Sequence, residues 1–338
     1  MANPVRFGVF VPQGWRMDLV EIDDPVEQFE AMTRVAKAAD AEPNLDSIWV
    51  YDHVHTVPTP EIETTFECWT ITATLARDTE RVKIGQMVGC NGYRNPALYA
   101  KIASTVDVAS HGRLYAGFGA GWYEHEWRAY GFGGSGAAGV APGDFPEVPV
   151  RMRMFREGVE VIHKMWTEER PSFQGTYYQL DGPINEPKNA AGSPGKKIPL
   201  WIGGGGEQVT LKLVARFGDA CNVGGGDAAT VRQKLEVLKR HCDEVGRNYD
   251  EIVKSTSVNL FLLENEGDAE QATKLARGDQ DLKAYSEQFW VGTADQLAER
   301  MRPLLDAGAD YIITYMPRLA YDPSPVGRFA REVVPQLT

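Results

Sequence analysis

Apolar residues recur along the chain in two alternating rhythms. Runs such as Val5–Val11 (VRFGVFV) are short and almost continuously apolar, whereas Pro25–Ala39 spaces Val26, Phe29, Met32, Val35 and Ala36 three or four residues apart. The first rhythm suits a strand buried on both faces, the second a helix with one apolar stripe. Strands are predicted at Val5–Val11, Ser47–Tyr51, Val82–Val88, Arg113–Gly119, Ile198–Gly203, Ala220–Val223, Ile252–Leu263 and Tyr311–Met316. Helical spacing falls between them at Pro25–Ala39, Glu67–Thr79 (ECWTITATLARDT), Pro96–Ala109, Met152–Trp166, Gln208–Phe217, Ala228–Val245 and Ala294–Ala307. Asp24 is placed to cap the first helix, with Pro25 at its first position.

Strands that alternate with helical crossovers pair in parallel, in an open doubly wound sheet or a closed barrel. Eight of them favour an α/β fold of the (β/α)8 TIM-barrel type, a single domain over residues 1–338. Two stretches break the rhythm. Gly131–Pro149 is rich in Gly and Pro and follows the fourth strand; Pro171–Lys197, before the fifth, holds a hairpin pattern in SFQGTYYQLDG. Both read as insertions on the barrel.

Composition narrows the setting. The formal charge of -12 over 338 residues argues against nucleic acid or an anionic membrane as a partner, since both select for basic patches. Cys68, Cys90, Cys221 and Cys242 form no CxxC pair and lack metal-ligand spacing, as expected of reduced cytoplasmic thiols. No signal-peptide pattern or membrane-length apolar run is visible.

Candidate chemistry concentrates where strands end, the functional rim of such barrels. Trp201–Gly225 (WIGGGGEQVTLKLVARFGDACNVGG) runs from a strand through Gly203, Gly204, Gly205 and Gly206 into a helix. Glycines let backbone amides approach an anion, and a helix N-terminus adds partial positive charge, so this is a phosphate cradle or else a flexible turn. Glu207 must then point away. Tyr51–His55 (YDHVH) places His53 for proton transfer, with Asp52 able to hold its tautomer. His53 and His55 also have the spacing of a metal pair, but no further ligands follow at later strand ends, and no metal is expected. In Gly119–Phe132 (GAGWYEHEWRAYGF), Gly119 and Gly121 leave room beside a flat ring, and Glu126 is a second polar candidate. Met87, Val88 and Gly89 could support such a ring, while Arg94 reads as a tie between rim loops. Trp15, Trp122 and Tyr123 suggest a flat or apolar organic substrate.

Together these segments resemble the luciferase-like monooxygenase superfamily, and within it the branch that uses coenzyme F420, an 8-hydroxy-5-deazaflavin. The resemblance spans RFGVFVPQ, SIWVYDHV, the run from Arg94 to Trp122, FREGVEVIHKMWTEERPSFQGTYYQLDG, and IPLWIGGGG through NVGG. It implies a ring at the barrel mouth against Met87, Val88 and Gly89, where the family often holds a non-proline cis peptide. It further implies His53 beside the reactive ring, Gly119 and Gly121 under or beside it, and phosphate held at Gly203–Gly206 and Gln208. A homodimer and an oxidoreductase acting on a small organic molecule follow from the same resemblance. Sugar-phosphate dehydrogenases of the family carry a glutamate directly after the second glycine of the fourth strand, and Trp122 stands there here. The alternatives are an FMN-dependent monooxygenase of the same superfamily, a non-catalytic flavin-binding or deazaflavin-binding protein, and a metal-dependent hydrolase.

Overall fold

The structure, a computed structural model, describes residues 4–133, 137–191 and 198–338. Eight parallel strands close into a barrel: β1 (Arg6–Phe10), β2 (Ser47–Val50), β3 (Lys83–Gln86), β5 (Leu114–Gly119), β8 (Leu200–Gly203), β9 (Ala220–Asn222), β10 (Val253–Leu262) and β12 (Tyr311–Tyr315). The ring closes because β10 pairs on one side with β12 and on the other with β9, where Val253 lies opposite Ala220. A two-residue β4 (Gly89–Cys90) adds to the rim of β5, and β11 (Trp290–Gly292) to the outer end of β10. An antiparallel hairpin, β6 (Ser172–Gln174) with β7 (Gln179–Asp181), lies in the second insertion, as its sequence suggests.

Each predicted strand lies within the barrel. Helices α1 (Pro25–Asp40), α2 (Cys68–Asp78) and α3 (Pro96–Ala109) follow β1, β2 and β4. The Asp24 carboxylate accepts from the Val26 N–H at 3.1 Å and caps α1 as expected. A six-residue α4 (Glu124–Ala129) follows β5, and α5 (Val148–Thr167) begins four residues earlier than its apolar spacing suggests. The reason is Pro149: proline lacks an N–H, but the first helical turn leaves that group unpaired anyway. Conversely, α6 (Thr210–Phe217) begins two residues after Gln208, because Val209 keeps a non-helical φ of -124 with ψ -61. After β9 and β10 come α7 (Ala228–Val245) and three short helices, α8 (Ala269–Ala272), α9 (Lys274–Arg277) and α10 (Leu282–Gln288). The last three, like β11, lack a distinct apolar period and were not foreseen from the pattern. Helix α11 (Ala294–Asp306) leads into β12. Residues 134–136 of the first insertion and 192–197 of the second lie outside the described residues.

The main core lies between the strands and the helical ring. A second cluster fills the barrel itself: Trp49, Tyr115, Trp201 and Tyr311, with Trp49 and Trp201 centred 4.7 Å apart in an edge-to-face contact. The Trp49 indole donates to Ser47 Oγ at 2.5 Å, and the Tyr311 hydroxyl donates to Asp46 at 2.7 Å. This aromatic plug closes the barrel floor and leaves its C-terminal mouth for other use. Among the described residues, no helix is long and apolar enough to cross a membrane.

Candidate active site

A cavity of about 490 Å3 opens at the mouth. Its wall comes from the ends of successive strands: Trp15 beyond β1, Asp52 and His53 beyond β2, Met87 and Val88 beyond β3, Gly119 to Tyr123 from β5, and Gly203, Gly204 and Gly206 from β8. The volume lies within the range typical of cofactor and small-ligand sites. Among the described residues, no lysine or arginine lines it.

His53 is held from behind. Its Nδ1 lies 2.9 Å from Glu126 Oε2, whose carboxylate is fully buried. The same carboxylate accepts the Tyr93 hydroxyl at 2.5 Å, the Val54 N–H at 2.7 Å and the His55 N–H at 3.3 Å. Burial alone would raise the pKa of Glu126, but the hydrogen bond and charge of His53, with the Tyr93 and Val54 donors, hold it below the usual value. An ionised Glu126 requires hydrogen on His53 Nδ1, leaving Nε2 with its lone pair in the neutral ring. Trp15 stacks on the imidazole at 4.9 Å and 24°, and Trp122 meets it edge-on at 6.0 Å.

The adjacent Asp52 does something different. Its Oδ2 accepts the Cys90 N–H at 2.7 Å and Arg94 Nη1 at 2.5 Å, while Oδ1 accepts Arg94 Nη2 at 3.0 Å. Asp52 therefore does not set the His53 tautomer, as its sequence position suggests; Glu126 does, from 73 residues away. Arg94 continues to Glu67 at 3.1 Å, in the tying role foreseen for it. His55 reaches the same carboxylate only at 4.0 Å; its Nδ1 lies 3.0 Å from the Thr56 carbonyl and its Nε2 3.1 Å from His125. Among the described residues, no group of three or more His, Cys, Asp or Glu is placed to hold a metal ion.

The floor of the cavity is Val88, which follows a cis Met87–Val88 peptide bond. A Cβ on Gly119 would lie 2.5 Å from Val88 Cγ2, and one on Gly203 would lie 2.8 Å from Cγ1. These glycines first admit Val88, and only through it any ring above. Gly121, at φ 80, admits the Cys90 sulfur in the same way. Gly89 faces away, since a Cβ there would meet the Tyr99 ring at 2.7 Å. It does not line the cavity, contrary to its sequence assignment.

The glycine run divides similarly. Gly203, Gly204 and Gly206 line the cavity beside Thr210, and Gly204 adopts φ 114, accessible to glycine but strained for other residues. Gly205 turns toward Lys234, 3.4 Å from a Cβ built there, and Gln208 faces a separate shallow pocket. Both are thus displaced from the assigned cradle, Gln208 because α6 begins only at Thr210. The amides of Gly206 and of Gly205 beside it donate to no acceptor among the described residues, and of the two only Gly206 lines the cavity. With the N-terminus of α6 next to them, they suit a phosphate. Glu207 points outward, pairing with Lys234 at 2.7 Å. Tyr51, Tyr93, Met152, Thr210 and Asn222 also line the cavity; Tyr51, Thr210 and Asn222 stand inside the quoted motifs without a role assigned to them, and Tyr93 and Met152 carry no local signal.

One further carboxyl lies beneath the rim. Asp18 accepts the Gly14 N–H at 2.7 Å, yet burial raises its pKa to about 6 and leaves its second oxygen unpartnered.

Residues 5–286 match the luciferase-like monooxygenase family, and the chain belongs to that family. It is 26% identical to an F420-dependent glucose-6-phosphate dehydrogenase of Amycolatopsis mediterranei (strain U-32), over 92% of this chain and 96% of that one. Among solved structures, it matches an F420-dependent secondary alcohol dehydrogenase in complex with an F420-acetone adduct: TM-score 0.73, 19% identity, 99% of each chain covered. It also matches the EDTA monooxygenase EmoA of Chelativorans sp. BNC1, with TM-score 0.79, 15% identity, and 99% of this chain and 94% of that one covered. At these identities the two structures establish the barrel fold.

Proposed function

We propose that the protein is a coenzyme F420-dependent oxidoreductase that exchanges hydride with an uncharged, flat or apolar organic substrate. The observation that carries this reading is His53, fixed by a buried carboxylate with Nε2 left to a cavity whose floor and anion cradle suit a deazaflavin nucleotide. The naming of the sequence relative supports the cofactor.

The bound deazaflavin would supply or accept hydride at its C5 carbon. The chain's own residues do the remaining work. Val88, resting in the space left by Gly119 and Gly203, supports a planar group from below. Gly206 and the start of α6 hold a phosphate. His53 Nε2 takes the proton from a substrate hydroxyl in the oxidative direction, or returns it in the reductive one. Glu126 stabilises the imidazolium while remaining a carboxylate, so it is a positioning residue. Asp52 and Arg94 fix the rim.

The substrate differs from that of the sequence relative. A sugar phosphate brings about two negative charges at neutral pH, and among the described residues no lysine or arginine lines the cavity to receive them. Trp15, Trp122 and Tyr123 instead offer ring faces. We place the enzyme in the cytoplasm, consistent with four free, buried cysteines, and expect a homodimer as in the family.

The test is a fluorescence titration of purified protein with coenzyme F420 and, separately, with FMN. Tight deazaflavin binding with weak FMN binding is expected. The reverse preference would make this an oxygen-using flavin monooxygenase.

A further inference from the structure

Glu126 stands between two imidazoles. Its Oε2 lies 2.9 Å from His53 Nδ1, and its Oε1 lies 4.0 Å from Nδ1 of His55. A carboxylate carries one negative charge, so it offsets one imidazolium and not two. His53 lines the cavity; His55 does not, and meets His125 of α4 instead. His55 Nε2 lies 3.1 Å from His125 Nδ1, with the two rings at 79°.

The proton count of this pair follows from its contacts. The Thr56 carbonyl, 3.0 Å from His55 Nδ1, can only accept, which fixes a hydrogen on that nitrogen. In the neutral ring Nε2 then holds a lone pair, and His125 Nδ1 donates into it. Only one hydrogen fits between the facing nitrogens, so the pair takes up one further proton. That proton arrives at Nε2 of His125, an exposed residue. As it binds, the hydrogen between the rings moves to His55 Nε2, and the positive charge comes to rest beside Glu126. His53 itself is only 8% exposed and is covered once ligands fill the cavity, whereas His125 keeps its access to water.

The neighbouring groups leave this one proton as the variable. Glu124 is engaged by Arg128 at 2.7 Å, and Asp52 by Arg94. Tyr123 and Tyr130 pack beside the His55 ring. Burial raises the Tyr123 pKa, and burial followed by the charges of Cys90 and Glu126 raises that of Tyr93, which stays a phenol donating to Glu126.

We infer that His55, backed by His125, is a positioning residue that sets the proton affinity of His53 through Glu126. This rests on the proposed role of His53 as proton carrier. A charge on His55 competes for the Glu126 carboxylate and loosens the proton on His53; by linkage, a proton on His53 opposes charging of the pair equally. With the pair charged, His53 gives up its proton more readily, which favours the reductive direction. With the pair neutral, His53 is the better base, which favours the oxidative one.

The experiment is a pH titration of the imidazole nitrogens of the purified full chain by 15N NMR. Six histidines give few enough signals to assign by single substitution. In the wild type, His55 and His125 should report one shared step, and His53 two, its own and theirs. Removing the ring that takes its proton first raises the midpoint of the other. Either His53→Ala should therefore raise the His55–His125 midpoint, or His55→Asn should raise that of His53. The expected shift is roughly half a unit, about threefold in proton affinity, the scale of a charge acting across several ångströms at a partly exposed site. Asn at position 55 keeps an N–H for the Thr56 carbonyl, and the wild-type curves need no variant. One-proton curves for His53 and His55 with midpoints unchanged in both variants overturn the inference and leave the proposed function intact. A shared His55–His125 step that never registers at His53 makes the contact a packing feature and overturns it equally. Coupled curves in a protein that binds no coenzyme F420 support the charge link and overturn the proposed function.

Discussion

The floor and the mouth of the barrel use the same device for opposite ends. At the floor, Gly8 and Gly85 have no side chain because the Trp49 indole occupies that space, and Trp201, Tyr115 and Tyr311 complete a solid plug. At the mouth, Gly119 and Gly203 leave space that a single valine, Val88, enters from the next strand. Above Val88 the protein supplies nothing, and a cavity remains. Glycine at the floor therefore serves packing, and its loss is a stability effect. Glycine at the mouth shapes a surface for a foreign ring, and its loss is a binding effect. Polar groups follow the same division: the floor ties Asp46 and Ser47 to plug rings, whereas the mouth ties Glu126 to a histidine whose far nitrogen is free to work.

The largest expected effect sharpens the mouth's side of this contrast. His53→Ala should lower turnover by about 10²- to 10⁴-fold, the usual worth of a positioned proton carrier, with deazaflavin affinity nearly unchanged. Glu126→Gln should lower turnover less and shift the pH profile of kcat/KM, because His53 would lose the anion that stabilises its charged form. Steady-state kinetics across pH separates the two variants. A His53→Ala enzyme at full rate would remove His53 from the chemistry.

Next in size is Asp18 under the rim. Its folded pKa of about 6 lies above the ordinary 3.8, so the folded state holds this proton more tightly than the unfolded chain. The sign follows: its penalty is absent below the ordinary value, grows as pH rises, and is complete above about 6. A rise of about two units corresponds to about 3 kcal/mol. Asp18→Asn should therefore gain stability relative to wild type between pH 4 and 6. Denaturant melts of the two proteins at both pH values measure this, since other carboxylates cancel in the difference. A constant difference across that window would refute the buried-charge account.

The smallest effects test the contrast directly. Gly85→Ala drives a methyl group into Trp49 and should cost about 1–3 kcal/mol as overpacking, seen as a lower Tm. Gly203→Ala displaces Val88, which has cavity on one side, and should cost less stability while weakening cofactor binding by about tenfold, near 1.4 kcal/mol. If Gly203→Ala melts as early as Gly85→Ala and binds normally, the two ends are not distinct.

The barrel was legible because its signal is local: each buried strand is an apolar run and each crossover a periodic one. His53 was legible because it follows directly on β2. Its partner was not, since Asp52 is the nearer carboxylate in sequence and Glu126 the one in contact; only the turn after β5 brings residue 126 to residue 53. Gln208 was misplaced because two residues of non-helical backbone before α6 turn it to the outer face. The contact of His55 with His125 escaped notice because it forms only when α4 brings residue 125 to residue 55. Chemistry carried by one segment could be read, and chemistry assembled across segments could not.

The turn after β5 carries Trp122 and Tyr123 at the opening and, three residues later, the carboxylate that holds His53. Selectivity and proton chemistry are therefore inherited together on one short stretch of chain. Loop exchange between relatives at this position would transplant both, and a chimera that gained a new substrate range would acquire the donor's acid–base behaviour with it. Substitutions at Trp122 and Tyr123 that leave residue 126 in place are the way to change one property without the other.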